Sequence, residues 1–238
     1  MSLRKCLSGR MDKTLTEIAF ILDRSGSMHP VAQAAISGFN DFLQNQQAAP
    51  DQARFTLVLF DDEYLVPVDN LPIQEVVALN SDTYVPRNST ALLDAIGETI
   101  ERIGQRLEKT SEPDRPGKVI VAILTDGLEN SSTKFTWQDV AKRIRHQTDA
   151  YKWEFLFLGS NQDAIATAAN LNIPSANAAT FRSDSLGTRT TLRAASRKAS
   201  AHRISASGRK LNKVEEADLA AAMSSLVAEE DSKERGGK

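Results

Sequence analysis

The chain has 238 residues, with 29 Lys and Arg against 31 Asp and Glu and a net charge of −2, which excludes a function driven by bulk charge on nucleic acid or an anionic membrane. Hydrophobic residues make up 41% and charged residues 25%, as in an ordinary globular chain long enough for one sizeable core plus a tail. Cys6 is the single cysteine, so no disulfide can form within the chain, and a reducing, cytoplasmic setting is expected.

Residues 1–13 carry no periodic pattern and read as a tail. Arg4, Lys5 and Arg10 are not followed by an apolar segment, so no secretory signal is expected, and Met11 offers an alternative start. Glu17–Leu22 is an apolar strand that ends abruptly in Asp23-Arg24-Ser25-Gly26-Ser27. Val31–Gln47 reads as a helix with Val31, Ala35, Phe39, Phe42 and Leu43 on one face. Arg54–Phe60 and Tyr64–Val68 are strands joined at the tight turn Asp61-Asp62-Glu63, a hairpin with one antiparallel edge strand. Asn88-Ser89-Thr90 precedes a second amphipathic helix, Ala91–Leu107. Val119–Thr125 is another buried strand, ending in Asp126-Gly127. Trp137–His146 is a shorter helix and Trp153–Leu158 a further strand. Ser160–Asp163 resembles a capping box for a helix over Asp163–Leu171. No apolar run approaches the roughly 20 residues of a membrane span.

Beyond Phe181 the composition changes. Residues 182–238 contain no aromatic residue and hold 12 Lys/Arg against 8 Asp/Glu, a balance of +4. Leu186, Leu192, Ala195 and Ala199 suit one helix face, and Leu219, Met223 and Leu226 another. Ser205–Lys213 reads as a linker and Glu229–Lys238 as a solvated tail. The expected organisation is a tail (1–13), one domain (14–181) and a basic extension (182–238), helical and partly disordered, separable from the domain.

Alternation of apolar strands with amphipathic helices predicts an α/β fold: a doubly wound, mostly parallel sheet with helices on both faces. Such sheets bind ligands at the carboxyl ends of their strands, where the winding reverses. Asp23 and Asp126 both fall at strand carboxyl ends. Together with Ser25, Ser27 and Thr90 they make five oxygen-bearing side chains at the ends of apolar segments, a donor set for a hard cation. Taken alone, Asp23, Ser25 and Ser27 also suit a helix cap.

Asp-x-Ser-x-Ser after a first strand, a Thr before a central helix and Thr-Asp-Gly after a later strand resemble the metal-ion-dependent adhesion site of von Willebrand factor A domains. The resemblance covers roughly residues 14–180. It implies that Ser25, Ser27 and Thr90 are hydroxyl ligands of Mg²⁺ or Mn²⁺ and that Asp23 and Asp126 bind the metal directly or through water. Asn88-Ser89 stand where the family usually has a glycine before the threonine. Neutral hydroxyls leave a cation undercompensated and ready to take an Asp or Glu carboxylate from a protein partner. Relatives of stand-alone bacterial type commonly act as adaptors, some beside AAA+ ATPases; this chain has no Walker motif.

The competing class is a metal-dependent hydrolase or phosphoryl-transfer enzyme, which needs a base or nucleophile beside the metal. The chain lacks Gly-x-x-x-x-Gly-Lys-Ser/Thr, Gly-x-Ser-x-Gly, His-Glu-x-x-His and Gly-x-Gly-x-x-Gly, and a non-enzymatic module is expected. A minor third reading uses the basic segment Arg189–Lys213 on nucleic acid, but stacking platforms need aromatics and it has none. The loops carrying Met28-His29, Asn88-Ser89, Leu128-Glu129-Asn130 and Ser160-Asn161 are expected to form the rim that reads the partner.

Overall fold

The computed structural model describes residues 12–160 and 164–236. Its strands are β1 (Asp12–Asp23), β2 (Ala53–Phe60), β3 (Tyr64–Pro72), β4 (Pro116–Thr125), β5 (Glu154–Gly159) and β6 (Ala178–Thr180). Its helices are α1 (Ala32–Ala48), α2 (Leu92–Lys109), α3 (Trp137–Tyr151), α4 (Ala164–Asn170), α5 (Ser185–Ser207), α6 (Lys213–Ala220) and α7 (Met223–Gly236). The sheet order is β3-β2-β1-β4-β5-β6. Only β3, joined to β2 by the expected hairpin, runs antiparallel. The doubly wound α/β fold read from the sequence is the fold of the chain.

The period of the strand side chains divides the core into two layers. Ile18, Phe20 and Leu22 of β1 face one layer, with Phe39 and Phe42 of α1 and Leu192 of α5. Phe20 meets Phe39 and Phe42 edge-on, with ring centroids 5.3 and 5.0 Å apart. Ala19 and Ile21 face the other layer, with Ile96 and Ile100 of α2 and Val140 and Ile144 of α3. A strand covered on both faces must be apolar throughout, which is why β1, β2 and β4 lack the alternation of a half-exposed strand. After β1 the chain winds outward to β2 and later returns to β4 on the other side. The winding therefore reverses between β1 and β4, whose pairing ends at Leu22 and Leu124, one residue short of Asp23 and Thr125.

The boundary expected after Phe181 differs from the packing. The helix α5 lies across the same sheet, with Leu192, Ala194, Ala195 and Ala199 fully buried in the first layer. A Cβ added to Gly38 of α1 would fall 2.6 Å from Leu192 Cδ1, so the Leu192 side chain packs directly onto the glycine. Gln46 of α1 donates to the Ser196 carbonyl and to Ser200 Oγ, and the buried Arg203 donates to the Gln46 carbonyl at 2.7 Å. The segment buries its surface through Ala, Thr and Gly rather than aromatics. Its charges turn inward too: Arg197 meets Asp218, Glu229 and Glu230 of the last two helices, and Lys198 Nζ caps the carbonyls of Leu219 and Ala221. The stretch read as a linker does join two helices, but it is shorter than expected: α5 runs to Ser207 and stops at Gly208, whose φ of +77° suits glycine, and α6 begins at Lys213. The segment read as a solvated tail is helical through Gly236. Among the described residues no helix is long and apolar enough to cross a membrane.

Truncation after Phe181 should therefore give an aggregating chain without a cooperative thermal transition. In the full chain, Leu192→Ala should cost about 2–5 kcal/mol in denaturant unfolding. A soluble, cooperatively melting 1–181 fragment would show that α5 is dispensable.

Candidate metal centre

β1 delivers Asp23 fully buried at the crest of the sheet. Its Oδ1 accepts the Ser25 N–H at 2.6 Å and its Oδ2 accepts the Thr125 hydroxyl at 2.5 Å. The Asp23 carbonyl accepts the hydroxyl of the buried Tyr84 at 2.5 Å. Burial pushes the Asp23 carboxyl up to about 6, against the hydrogen bonds from Thr125 and Ser25 that favour its charge. Burial also raises Asp126, the residue just beyond β4.

The turn after Asp23 brings Ser25 Oγ and Ser27 Oγ to 3.0 Å, and Ser27 donates to Asp126 Oδ1 at 2.5 Å. Thr90 arrives from a third loop. A Cβ placed on Gly127 would fall 2.7 Å from Thr90 Oγ1, 3.3 Å from Ser27 Oγ and 3.5 Å from Ser25 Oγ. Three hydroxyls thus crowd one small volume beside Gly127, with Asp126 bonded to one of them. Glycine is required there because any side chain would enter that volume.

The loop carrying Thr90 is held from three sides. Gly26 N–H donates to the Asn88 carbonyl at 3.0 Å, and Arg87 N–H donates to the Arg24 carbonyl at 2.8 Å. The Thr90 N–H donates to Asn130 Oδ1 at 2.9 Å, while the Asn130 N–H returns to the Thr90 carbonyl at 3.0 Å. Asn88 has a φ of +58°, in the left-handed region that favours glycine and is next most open to asparagine. Asn88 can therefore fill the conformational role of the family's usual glycine, and its amide donates to Asp62 Oδ1 at 2.8 Å. Asp61 does more than form the hairpin turn. It is buried and meets Arg24 at 3.2 Å and Arg87 at 2.8 Å, which fastens the hairpin to the ligand loops.

The rim differs in part from the sequence expectation. Met28 is fully buried in the core and offers a partner nothing. Glu129 does not stand free to repel a partner, since it accepts the N–H groups of Leu93, Ser131 and Ser132 and the Ser132 hydroxyl. It thereby supplies negative charge to the first turn of α2, where the helix dipole favours it. Asn130 is exposed, and its side-chain oxygen accepts the Thr90 N–H. His29 is exposed, and Leu128 is 59% exposed. Asn161, with the capping-box residues Gln162 and Asp163, lies outside the described residues, as does Cys6. The supporting roles of Tyr84, Asp61 and Asn130 had no sequence signal. Thr125 had one, its place in Thr-Asp-Gly.

The donor set suits a hard cation: hydroxyls and carboxylates only, with no soft sulfur. Among the described residues no group of three or more His, Cys, Asp or Glu is arranged to hold a metal, so this hydroxyl-rich cluster, with two carboxylates, is the candidate.

A doubly wound α/β sheet with a hydroxyl-rich cluster at its winding reversal defines the class of protein. The family model for the von Willebrand factor type A domain matches residues 17–195, and the chain belongs to that family. The match runs into α5, in keeping with its packing in the core. Among solved structures, the mussel byssus proximal thread matrix protein 1, in a form described as having a zinc-occupied MIDAS motif, is 17% identical, with a TM-score of 0.53 over 78% of this chain and 48% of that one. A von Willebrand factor type A protein from Catenulispora acidiphila is 16% identical, with a TM-score of 0.52 over 78% and 43% of the two chains. The D319A mutant of the PilB minor pilin from Streptococcus sanguinis is 10% identical, with a TM-score of 0.53 over 82% and 63%. At these identities the likeness is one of fold, and this chain spans less than two thirds of each solved chain. No curated protein matches the sequence.

The burial of Asp23 predicts a pH dependence for cation binding at this cluster. Asp23 titrates near 6 rather than at its ordinary 3.8, so the metal-free fold holds its proton longer than the unfolded chain. The Asp23 contribution to stability is fully present below about pH 4 and is lost as pH rises through about 6. A cation must displace that proton, so Mn²⁺ affinity should rise with pH up to about 6 and then level off. Calorimetry at pH 5, 6 and 7 checks this, and affinity independent of pH would contradict it. Separately, Asn130→Ala removes the acceptor that holds the Thr90 backbone and should weaken Mn²⁺ about 10–100-fold; unchanged affinity would show that the Thr90 loop needs no such support.

Proposed function

We propose that this chain is a metal-dependent protein–protein interaction module rather than an enzyme. The observation that carries the reading is the convergence of the Ser25, Ser27 and Thr90 hydroxyls beside Gly127, with Asp126 hydrogen-bonded to Ser27. These three hydroxyls would hold Mg²⁺ or Mn²⁺, with Asp23 and Asp126 contributing directly or through water. The zinc-occupied motif described for the mussel protein supports a divalent cation as the ligand. Bound there, the cation offers an electrophilic open position to an Asp or Glu carboxylate of a protein partner. The chain's own part is to fix the donors before the partner arrives. Thr125 and the Ser25 N–H hold Asp23 in place, and Asn130 and Gly26 hold the Thr90 loop.

An adaptor role in a larger cytoplasmic assembly, of the kind built around a separate AAA+ ATPase, belongs to the same proposal and rests on the family resemblance and the lone cysteine. The inward pairing of Arg197, Lys198 and Arg203 speaks against the basic segment as a nucleic-acid surface. The test is calorimetric titration of Mg²⁺ and Mn²⁺ into the wild type, Thr90→Ala and Asp126→Ala, with partner capture from a lysate in Mg²⁺ or chelator. Binding should weaken at least about tenfold in each variant, as it does on loss of a metal-site group, and chelator should abolish capture. Equal metal affinity in all three proteins would refute the proposal.

A further inference from the structure

Beside the hydroxyl cluster lies a cavity of about 210 Å³. Its buried walls include Leu92, Phe157 and Thr125, its mouth carries Leu128 and Trp137, and Gly127 is common to the cavity and the cluster. The arrangement follows from chain order. Leu92 comes two residues after Thr90, and Leu128 two residues after Asp126, so the loops that supply the donors also wall the cavity.

The cavity is lined mainly by hydrocarbon, with Thr125, Glu129 and the half-buried Thr167 as its polar side chains. The Thr125 hydroxyl is engaged by Asp23. The Glu129 carboxylate, which also lines it, is engaged by four donors. Leu92 and Phe157 present hydrocarbon. At the mouth, Leu128 is 59% exposed and Trp137 37% exposed. A single exposed leucine carries no information. An exposed tryptophan at the mouth of a largely apolar cavity is of the residue type that dominates protein interfaces, and the exposed Leu128 widens the apolar mouth beside it. An apolar cavity of about 150 Å³ accepts a benzene ring, so this one has room for one large side chain.

The mouth is also rigid. Thr136 and Asp139 form a reciprocal capping box that fixes the first turn of α3, where Trp137 sits. Asp94 of α2 accepts the N–H groups of Thr133, Lys134 and Phe135, and with Glu129 it pins the loop between Leu128 and Trp137 to that helix. A preformed site spares a partner the cost of ordering it.

We infer that this cavity is the specificity pocket of the interaction site, taking a Leu, Met or Phe side chain that lies one or two residues from the partner's metal-seeking Asp or Glu. The inference rests on the proposed carboxylate-to-cation contact. One or two residues of extended chain span at most about 3.3–7 Å, which suits a pocket sharing Gly127 with the hydroxyl cluster. The cation would attract any carboxylate, and the pocket would discriminate, because a partner with Lys or Asp at that position would have to bury an unpaired charge against hydrocarbon.

The test uses capped pentapeptides with a central Asp, all other positions Ala or one replaced by Phe, Leu, Ser or Lys, and a matched set with Asn for Asp. Binding to the full chain in Mg²⁺ is read by NMR titration. Phe or Leu at one offset should bind at least tenfold more tightly than Ala. Trp137→Ala and Leu128→Ser should each reduce that preference at least threefold while Mg²⁺ affinity, measured separately, stays unchanged. Mg²⁺-dependent binding that is indifferent to the neighbouring residue would overturn the pocket and leave the cation reading standing. A Phe preference kept by the Asn peptides and by chelated protein would overturn the cation reading and with it the coupling proposed here. Absence of binding by every peptide would overturn both.

Discussion

The structure around the site depends on one buried carboxylate. Asp23 sits with no exposure at the reversal of the sheet winding, where an isolated charge would be costly. Two donors within 2.6 Å, the Ser25 N–H and the Thr125 hydroxyl, hold it. The first fixes the turn that presents Ser25 and Ser27. The second ties the end of β4 to the end of β1 and so places Asp126 and Gly127 beside the same turn. The Tyr84 hydroxyl, from the connection between β3 and α2, donates to the Asp23 carbonyl and braces the strand end. Burial raises the pKa of this carboxylate while the two hydrogen bonds favour its charged form.

Around that core the protein uses its polar residues to hold loops in place. Asp61, Glu129, Asn130 and Asp94 all lie near the crest and all bond to neighbouring loops or helix ends. The loops at the crest are therefore part of a braced frame, and the surface left for recognition is correspondingly narrow. Of the expected rim, Leu128 is prominently exposed, and it stands with Trp137 over hydrocarbon.

Much of this was legible in the sequence because burial on both faces leaves a strong mark. Glu17–Leu22 and Val119–Thr125 read as buried strands, and the oxygen-bearing residues just beyond them then fall at the crest, although Asp23, Ser25 and Ser27 taken alone also suited a helix cap. The hairpin at Asp61–Glu63 was legible for the same reason. What escaped had weak or misleading marks. The strand Ala178–Thr180 is three residues long and has no period to detect. The helix Ser185–Ser207 carries no aromatic residue and many positive charges, yet it is core. Its alanines and Leu192 pack in the core beside α1, Arg193 and Arg197 find partners on the final helices, and Arg203 donates to Gln46 of α1. Met28 reads as a loop residue by position but is buried. Glu129 read as a recognition residue because nothing in a linear sequence reveals that the start of α2 lies beside it.

Every functional role proposed for the crest requires that the hydroxyl cluster take a cation. The most direct measurement is an anomalous difference map from a crystal of the full chain soaked in saturating Mn²⁺ near pH 7. A single strong peak is predicted at the crest, within coordination distance of the Ser25, Ser27 and Thr90 hydroxyls and beside Asp126. A map without a peak there, or with manganese bound only elsewhere on the molecule, would contradict it.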